Sequence, residues 1–78
     1  MTRLTPLSPR IVKQFLEEHG FRLDRIKGSH HLYVHDDGRH TVVPVHGNED
    51  VEVGIVTSIL RAIDLSRNDL LVWLGRKR

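Results

Sequence analysis

The spacing of apolar residues changes twice along this chain, and this change limits the folds open to it. Residues 11–16 place apolar side chains at the spacing of one helix face, and residues 53–63 do so again. Between them, from Phe21, apolar residues alternate with charged ones, as they do in a half-buried strand. This order predicts an α-β-β-β-α fold of the α+β class, a sandwich with a three-stranded antiparallel sheet and the helices on one face.

Capping residues set the limits of the predicted helices. Ser8 is suited to the N-cap of the first helix, Pro9 to its first position and Gly20 to the residue after its end. Further along, Ser66 and Asp69 have the spacing of a capping box. The apolar residues that follow predict a short C-terminal helix at about residues 67–75, in which Trp73 contacts the core or a partner.

The middle of the chain predicts three strands. The first runs from Phe21 to a turn at residues 27–29, the second spans His30–His35, and the third spans residues 40–45. A short loop of Asp and Gly residues at 36–39 indicates a hairpin between the last two strands. Pro44 lacks an N–H group, so we expect it at a strand end or on an edge strand.

Side-chain alternation divides the second strand into two sets. His30 shares a face with Leu32 and Val34, whereas His31 shares the other face with Tyr33 and His35. If Leu32 and Val34 point at the helices, the second set lines the outer sheet face and forms a platform for a ligand. Tyr33 alone is better explained as a packing residue than as a ligand contact.

Length and composition exclude several classes of protein. The chain has 78 residues and no cysteine, which excludes disulfides, thiolate zinc sites and thiol catalysis. We expect one domain over residues 1–78, with its core at about 9–65. No stretch has the roughly 20 apolar residues of a membrane helix. Residues 1–8 lack the features of a signal peptide, so a cytoplasmic location is expected.

Histidine is unusually frequent, and five histidines fall within residues 30–46. Neighbouring histidines on a strand point to opposite faces. His31 and His35 share a face but would lie about 13 Å apart, too far to bind one metal ion. We therefore expect neither a metal nor a cofactor. The net charge is only +2, but basic residues gather in the middle of the chain. Such residues can bind phosphate, although most charged runs are simply solvated.

Three phrases of the sequence resemble the HicA toxin family, also called YcfA-like mRNA interferases. They are the Lys-Gly-Ser-His-His-Leu-Tyr phrase at 27–33, the Val-Pro-Val-His phrase at 43–46, and the glycine-led second helix from Gly54. Their order and spacing carry the resemblance, which covers about residues 9–70. It implies a fold like that of the double-stranded-RNA-binding domain and a toxin that cleaves mRNA. It also implies neutralisation by a HicB antitoxin.

The resemblance places the functional histidine directly after Gly28-Ser29. That residue is His30, with His31 as the alternative because it follows at once. One departure concerns the loop before the second helix, where the family often has lysines and this chain has acids. These acids are Glu49, Asp50 and Glu52.

Elementary chemistry agrees with a histidine at this point. Cleavage of RNA without a metal needs a group that takes the 2′-OH proton, and histidine is suited to this near neutral pH. Gly28 and Ser29 can admit and bind a phosphate. The candidate cations for further phosphates are Arg22, Arg25, Lys27 and Arg39, while His46 could either orient its loop or contact RNA. The alternative function is a non-catalytic RNA-binding module of the same fold.

Overall fold

The computed structural model describes residues 3–76; the two residues at each end, including Lys77 and Arg78 of the basic C-terminal sequence, lie outside it. Its elements follow the predicted order: α1 Pro9–Glu18, β1 Arg22–Lys27, β2 His30–Val34, β3 His40–Pro44, α2 Val53–Ala62 and α3 Arg67–Arg76. The strands form one antiparallel sheet in the order β1-β2-β3. The predicted α+β class and α-β-β-β-α order are therefore confirmed.

The predicted helix ends are also confirmed. The Ser8 Oγ accepts a hydrogen bond from the backbone N–H of Ile11, and Gly20 adopts a left-handed φ of 88° after α1. At α3, the Ser66 and Asp69 side chains exchange hydrogen bonds with each other's backbone N–H groups. Among the described residues, none of the helices has the length and apolarity that crossing a lipid bilayer requires.

The core lies between one face of the sheet and the helices. Tyr33 is only 2% exposed, and its neighbours on this inner face, Thr41 and Val43, are also buried. Both α1 and α2 contact β3. They cover it with buried apolar side chains: Val12, Phe15 and Leu16 from α1, and Val56, Ile59 and Leu60 from α2.

Leu32 and Val34 do not point at the helices, so the condition on which the outer-face platform depended is not met. Tyr33 is buried, so the inner face carries the odd-numbered residues of β2, and His31 lies there with it. The proposed platform of His31, Tyr33 and His35 on the outer face does not exist. Tyr33 is buried together with its β3 neighbours Thr41 and Val43, whereas Val42 on the other face stays 43% exposed, so packing of the sheet as a whole against the helices decides the orientation of the strand.

Strand β1 is a fully exposed edge strand with one irregularity. Its pairing register with β2 shifts between Leu23 and Arg25, which marks a β-bulge at Asp24. Because of this extra residue, Leu23 and Ile26 both pair with inner-face residues of β2, although they are three positions apart. The helices do not cover them, and they remain 44% and 56% exposed.

Candidate functional site

The outer sheet face, on the side opposite the helices, carries four of the nine predicted site residues, including His30. Cross-strand partners share a face, so the pairing register defines its members. They are Arg22, Arg25 and Lys27 from β1, His30, Leu32 and Val34 from β2, and His40, Val42 and Pro44 from β3. The face therefore has a basic edge, an apolar centre and two exposed histidines at opposite ends.

The β-bulge gives this face its basic edge. Arg22 and Arg25 are separated by three positions and would point to opposite sides of a regular strand. The extra residue Asp24 brings both onto the outer face together with Lys27, since their cross-strand partners are Val34, Leu32 and His30. Sequence alternation gave no indication of this bulge.

Two of these three cations are paired with carboxylates. Arg22 contacts Asp36, and Arg25 contacts Asp24 at 3.2 Å, but both pairs are largely exposed and therefore weak. Lys27 forms no ion pair within residues 3–76. It is the cation of the outer face that is most available to a ligand.

Arg39 has a different environment from the other predicted cations. Its guanidinium contacts the Asp37 carboxylate at 2.8 Å, donates to the Ile63 carbonyl at the end of α2, and lies 5.2 Å from the centre of the Phe21 ring. These contacts join the β2–β3 turn to α2. They give Arg39 a structural role whether or not it also binds phosphate.

His30 is the first residue of β2 and lies between Lys27 on β1 and Pro44 on β3. It is exposed, and its imidazole forms no hydrogen bond within the described part of the chain. Both ring nitrogens are therefore accessible to a ligand. Lys27 lies directly across the strand pair, where its positive charge can interact with the same bound phosphate.

His31 lies on the inner face, between Ile26 and Val43. Its Nδ1 is buried and has no hydrogen-bond partner among the described residues. Burial, with a smaller contribution from the positive charge of Lys13, lowers the pKa of His31 below its ordinary value. The structure thus places His30 and His31 on opposite sides of the sheet and brings only His30 beside Lys27.

The Gly28-Ser29 pair forms the two-residue turn between β1 and β2. Gly28 has a φ of 59°, as expected for glycine in the first central position of a type II′ turn. The Ser29 carbonyl accepts a 2.7 Å hydrogen bond from the Val45 backbone N–H, which ties the turn to the end of β3. Turn geometry alone accounts for Gly28, and Ser29 remains next to His30.

His46 lies just beyond β3, at the same end of the sheet as His30. It lines a small cleft of about 170 Å³ together with the acids Glu49, Asp50 and Glu52. This acidic environment disfavours a bound phosphate. Within residues 3–76, no group of three histidine or acidic residues has the arrangement needed to hold a metal ion.

Two cations that the sequence analysis did not single out lie beside a larger cleft. Arg10 and Lys13 of α1 line a space of about 610 Å³, closed on its other side by residues Val45, Gly47 and Asn48. Their spacing places them on one side of α1, but only the tertiary fold brings the loop after β3 to the other side of the same space. No sequence signal predicts this arrangement.

The comparisons with known proteins agree with the resemblance described above. A family model described as "HicA toxin of bacterial toxin-antitoxin" matches residues 9–65, which is most of the 78-residue chain. A search of curated proteins found no match. The matched segment begins with α1 and extends just beyond α2, so it includes the whole sheet and the Gly28–His30 turn. The chain therefore belongs to the HicA toxin family of bacterial toxin–antitoxin systems.

Proposed function

We propose that this protein is an endoribonuclease toxin that cleaves mRNA, with His30 as the general acid/base. The observation that carries the proposal is the position of His30, which is exposed on the outer sheet face directly across from Lys27, a cation with no ion pair among residues 3–76. His31 has the opposite position, on the inner face with a buried Nδ1. Membership of a toxin family supplies the biological context.

The reaction requires only groups that this surface offers. His30 accepts the 2′-OH proton, the 2′ oxygen attacks the neighbouring phosphorus, and the bond from phosphorus to the 5′ oxygen of the next nucleotide breaks as that oxygen takes up a proton from solvent water. The products are a 2′,3′-cyclic phosphate and a 5′-hydroxyl end. Lys27 stabilises the negative charge that develops on the phosphate oxygens, and no divalent metal takes part.

The remaining candidate residues hold the RNA strand. Ser29 lies next to His30, so its Oγ can donate to the reacting phosphate. Arg22 and Arg25 extend the basic edge along β1 and bind neighbouring phosphates, exchanging their exposed carboxylate partners for the ligand. Gly28 shapes the turn. We assign Arg39 and His46 smaller contributions to RNA binding, because one is held by protein contacts and the other lies among acids.

Replacement of His30 tests the proposal. His30→Ala should reduce the rate of RNA cleavage by roughly 10²–10⁴-fold, the usual loss when a general acid or base is removed. His40→Ala is the matched control, because His40 is an exposed histidine on the same face at the far end of the sheet. Cleavage by the wild-type protein should persist in EDTA and leave the cyclic phosphate or its hydrolysis product.

Two results would contradict this assignment. If folded His30→Ala cuts RNA as fast as wild type while His31→Ala does not, the acting histidine is His31. If EDTA abolishes cleavage and magnesium restores it, the reaction depends on a metal.

A non-catalytic RNA-binding module is the second candidate function. It is favoured by the isolation of His30, whose imidazole has no hydrogen bond within residues 3–76 to orient it. A module of this kind would bind RNA through the same basic edge, and prolonged incubation of purified protein with RNA would yield no new 5′-hydroxyl ends.

We further propose that a HicB-like antitoxin binds the outer sheet face and blocks His30, and that both proteins act in the cytoplasm, where mRNA is translated. Membership of a toxin–antitoxin family supports a partner in general. The acids of the loop before α2, Glu49, Asp50 and Glu52, favour a partner with a basic patch at that position.

A further inference from the structure

The space between α1 and the loop after β3, which we call the α1 cleft, has the size of a ligand site. Its volume is about 610 Å³, within the range of small-molecule and cofactor pockets. Its lining residues are Ser8, Pro9, Arg10, Lys13, Gln14, Glu17, Val45, Gly47 and Asn48. Polar side chains from the helix therefore face backbone and polar groups of the loop.

The charges of the α1 cleft favour an anion at one end. Arg10 and Lys13 form no ion pair or hydrogen bond within residues 3–76, unlike Arg22, Arg25 and Arg39, which are all paired. They lie in the first turns of α1, where the helix dipole adds positive potential. Glu17 lies one turn beyond Lys13, and its negative charge disfavours a phosphate there. A phosphate is therefore favoured at the Arg10 end of the cleft.

The neutral polar side chains of the cleft differ in whether their hydrogen-bonding groups are free to bind a ligand. Ser8 caps α1, and the Gln14 amide donates to Glu18 at 3.1 Å. Asn48 has no hydrogen bond in the described part of the chain, so both its amide donors and its carbonyl acceptor are available. Val45 adds an apolar surface beside it, as a nucleobase requires.

The α1 cleft opens at the same end of the sheet as His30. Pro44 lies directly across from His30, and the next residue, Val45, lines the cleft. The hydrogen bond from Val45 to the Ser29 carbonyl closes this end of the sheet. A flexible strand that crosses the outer face at His30 can thus continue around the Ser29–Val45 end to the inner side, where Arg10 and Lys13 lie.

We propose that the α1 cleft is a nucleotide subsite for single-stranded RNA, in which Arg10 and Lys13 bind a phosphate and Asn48 contacts the base. The occupant is a nucleotide of the same strand that is cut at His30, so this inference rests on the proposed function. The subsite adds contacts with RNA on the side of the sheet away from the reacting phosphate. Its contact with the base gives the enzyme a means of preferring particular bases near the cut.

Binding of an uncleavable 2′-O-methyl RNA to the full chain tests the subsite without relying on catalysis. In the double variant Arg10→Gln/Lys13→Gln, we expect affinity near 0.15 M salt to fall by about tenfold or more. The slope of log affinity against log salt should decrease by about 0.7 for each phosphate-binding cation removed. Arg61→Gln/Arg67→Gln is the matched control, because it removes the same charge from exposed positions outside the cleft.

Asn48→Ala tests the base contact separately. It should alter the relative affinities for poly-A, poly-U and poly-C 2′-O-methyl RNAs and leave the salt slope unchanged. Equal affinity and slope in the two double variants would overturn the subsite. So would a result in which the cleft variants bind RNA normally and fail to bind only the antitoxin, since the cleft would then be a protein interface. If the wild-type protein binds RNA through the cleft but cleaves none of it, the ribonuclease proposal is wrong, whereas the proposal of an RNA-binding subsite in the α1 cleft is retained.

Discussion

Lys27 and Arg39 illustrate how similar side chains acquire different roles from their surroundings. Lys27 is exposed beside His30 and has no ion pair in the described part of the chain, whereas Arg39 is held by Asp37, Phe21 and the end of α2. A charge that is already fixed by protein contacts must give up those contacts before it can bind a phosphate. We therefore separate the two residues by experiment.

Lys27→Ala should weaken RNA binding and reduce the salt slope by about 0.7, with little change in stability. Arg39→Ala should lower the free energy of unfolding by about 1–3 kcal/mol, because it leaves the Ile63 carbonyl and the Phe21 ring without their partner. Urea denaturation and RNA anisotropy measure the two effects. A larger loss of RNA affinity in folded Arg39→Ala than in Lys27→Ala would contradict this division.

His31 makes stability depend on pH. Its pKa is lowered first by burial and second by Lys13, so between the folded-state pKa and the ordinary value of 6.5 the unfolded chain binds more protons. The free energy of unfolding should therefore fall as the pH decreases below about 6.5. Above that value His31 is neutral in both the folded and the unfolded chain, and its contribution to stability is fully present.

His31→Leu should remove this part of the pH dependence, as measured by urea denaturation at several pH values. In Lys13→Gln, an NMR titration should show the pKa of His31 raised toward its ordinary value but still below it, because burial is the larger cause. An unchanged pKa in Lys13→Gln would show that Lys13 does not act on this imidazole.

At the scale of elements, α3 lies beyond the segment that matches the family, yet it completes the core. Trp73 is 7% exposed, its ring lies 5.2 Å from that of Phe15, and its indole N–H donates to Glu18 at 2.9 Å. The core role considered for Trp73 is therefore confirmed. By packing Trp73 against Phe15 of α1, this helix buries a surface that residues 9–65 would otherwise expose.

Trp73→Ala should lower the free energy of unfolding by about 3–5 kcal/mol, through reduced burial and the cavity that remains. That is a large part of the roughly 5–15 kcal/mol available to a folded domain. Val72→Ala is the control on the same helix, because Val72 is 47% exposed, and we expect a change within about 0.5 kcal/mol. Similar decreases in the two variants would show that α3 does not pack against α1 as described.

At the scale of the whole molecule, β2 and β3 bury side chains of one face beneath the helices, while the other face of the three-stranded sheet is open. The open face holds His30 at one end, so a single bound protein could cover the proposed active residue and the basic edge together. A specific interface of this kind buries roughly 1,200–2,000 Å² in total.

We expect a complex with the proposed HicB-like antitoxin to protect His30. The complex is formed with a candidate antitoxin, and modification of each histidine by diethyl pyrocarbonate is compared with that in the free protein by mass spectrometry. His30 should become much less reactive, and RNA cleavage should stop. If the complex forms while His30 stays reactive and RNA is still cut, inhibition does not act by covering this face.

Several features of the fold were predictable from local sequence because they depend on local chemistry. Ser8 caps α1 through its own hydroxyl, the Ser66–Asp69 pair closes on itself across three residues, and Pro44 ends β3 because it lacks an N–H group. The element order followed from apolar periodicity, and the phrases around Gly28 and Pro44 indicated the family. For these features, the residues that decide the outcome are close in sequence.

Tertiary packing decided what the periodicity left open. Alternation divided β2 into two sets but could not say which faces the helices; burial of Tyr33 against the helices fixed that and placed His30 outside and His31 inside. The bulge at Asp24, which aligns Arg22 and Arg25, and the meeting of Arg10 with the loop after β3 likewise depend on contacts between distant segments. Their physical reason is the same: which side of a strand or helix is buried is decided by the free energy of the whole core, to which every element contributes.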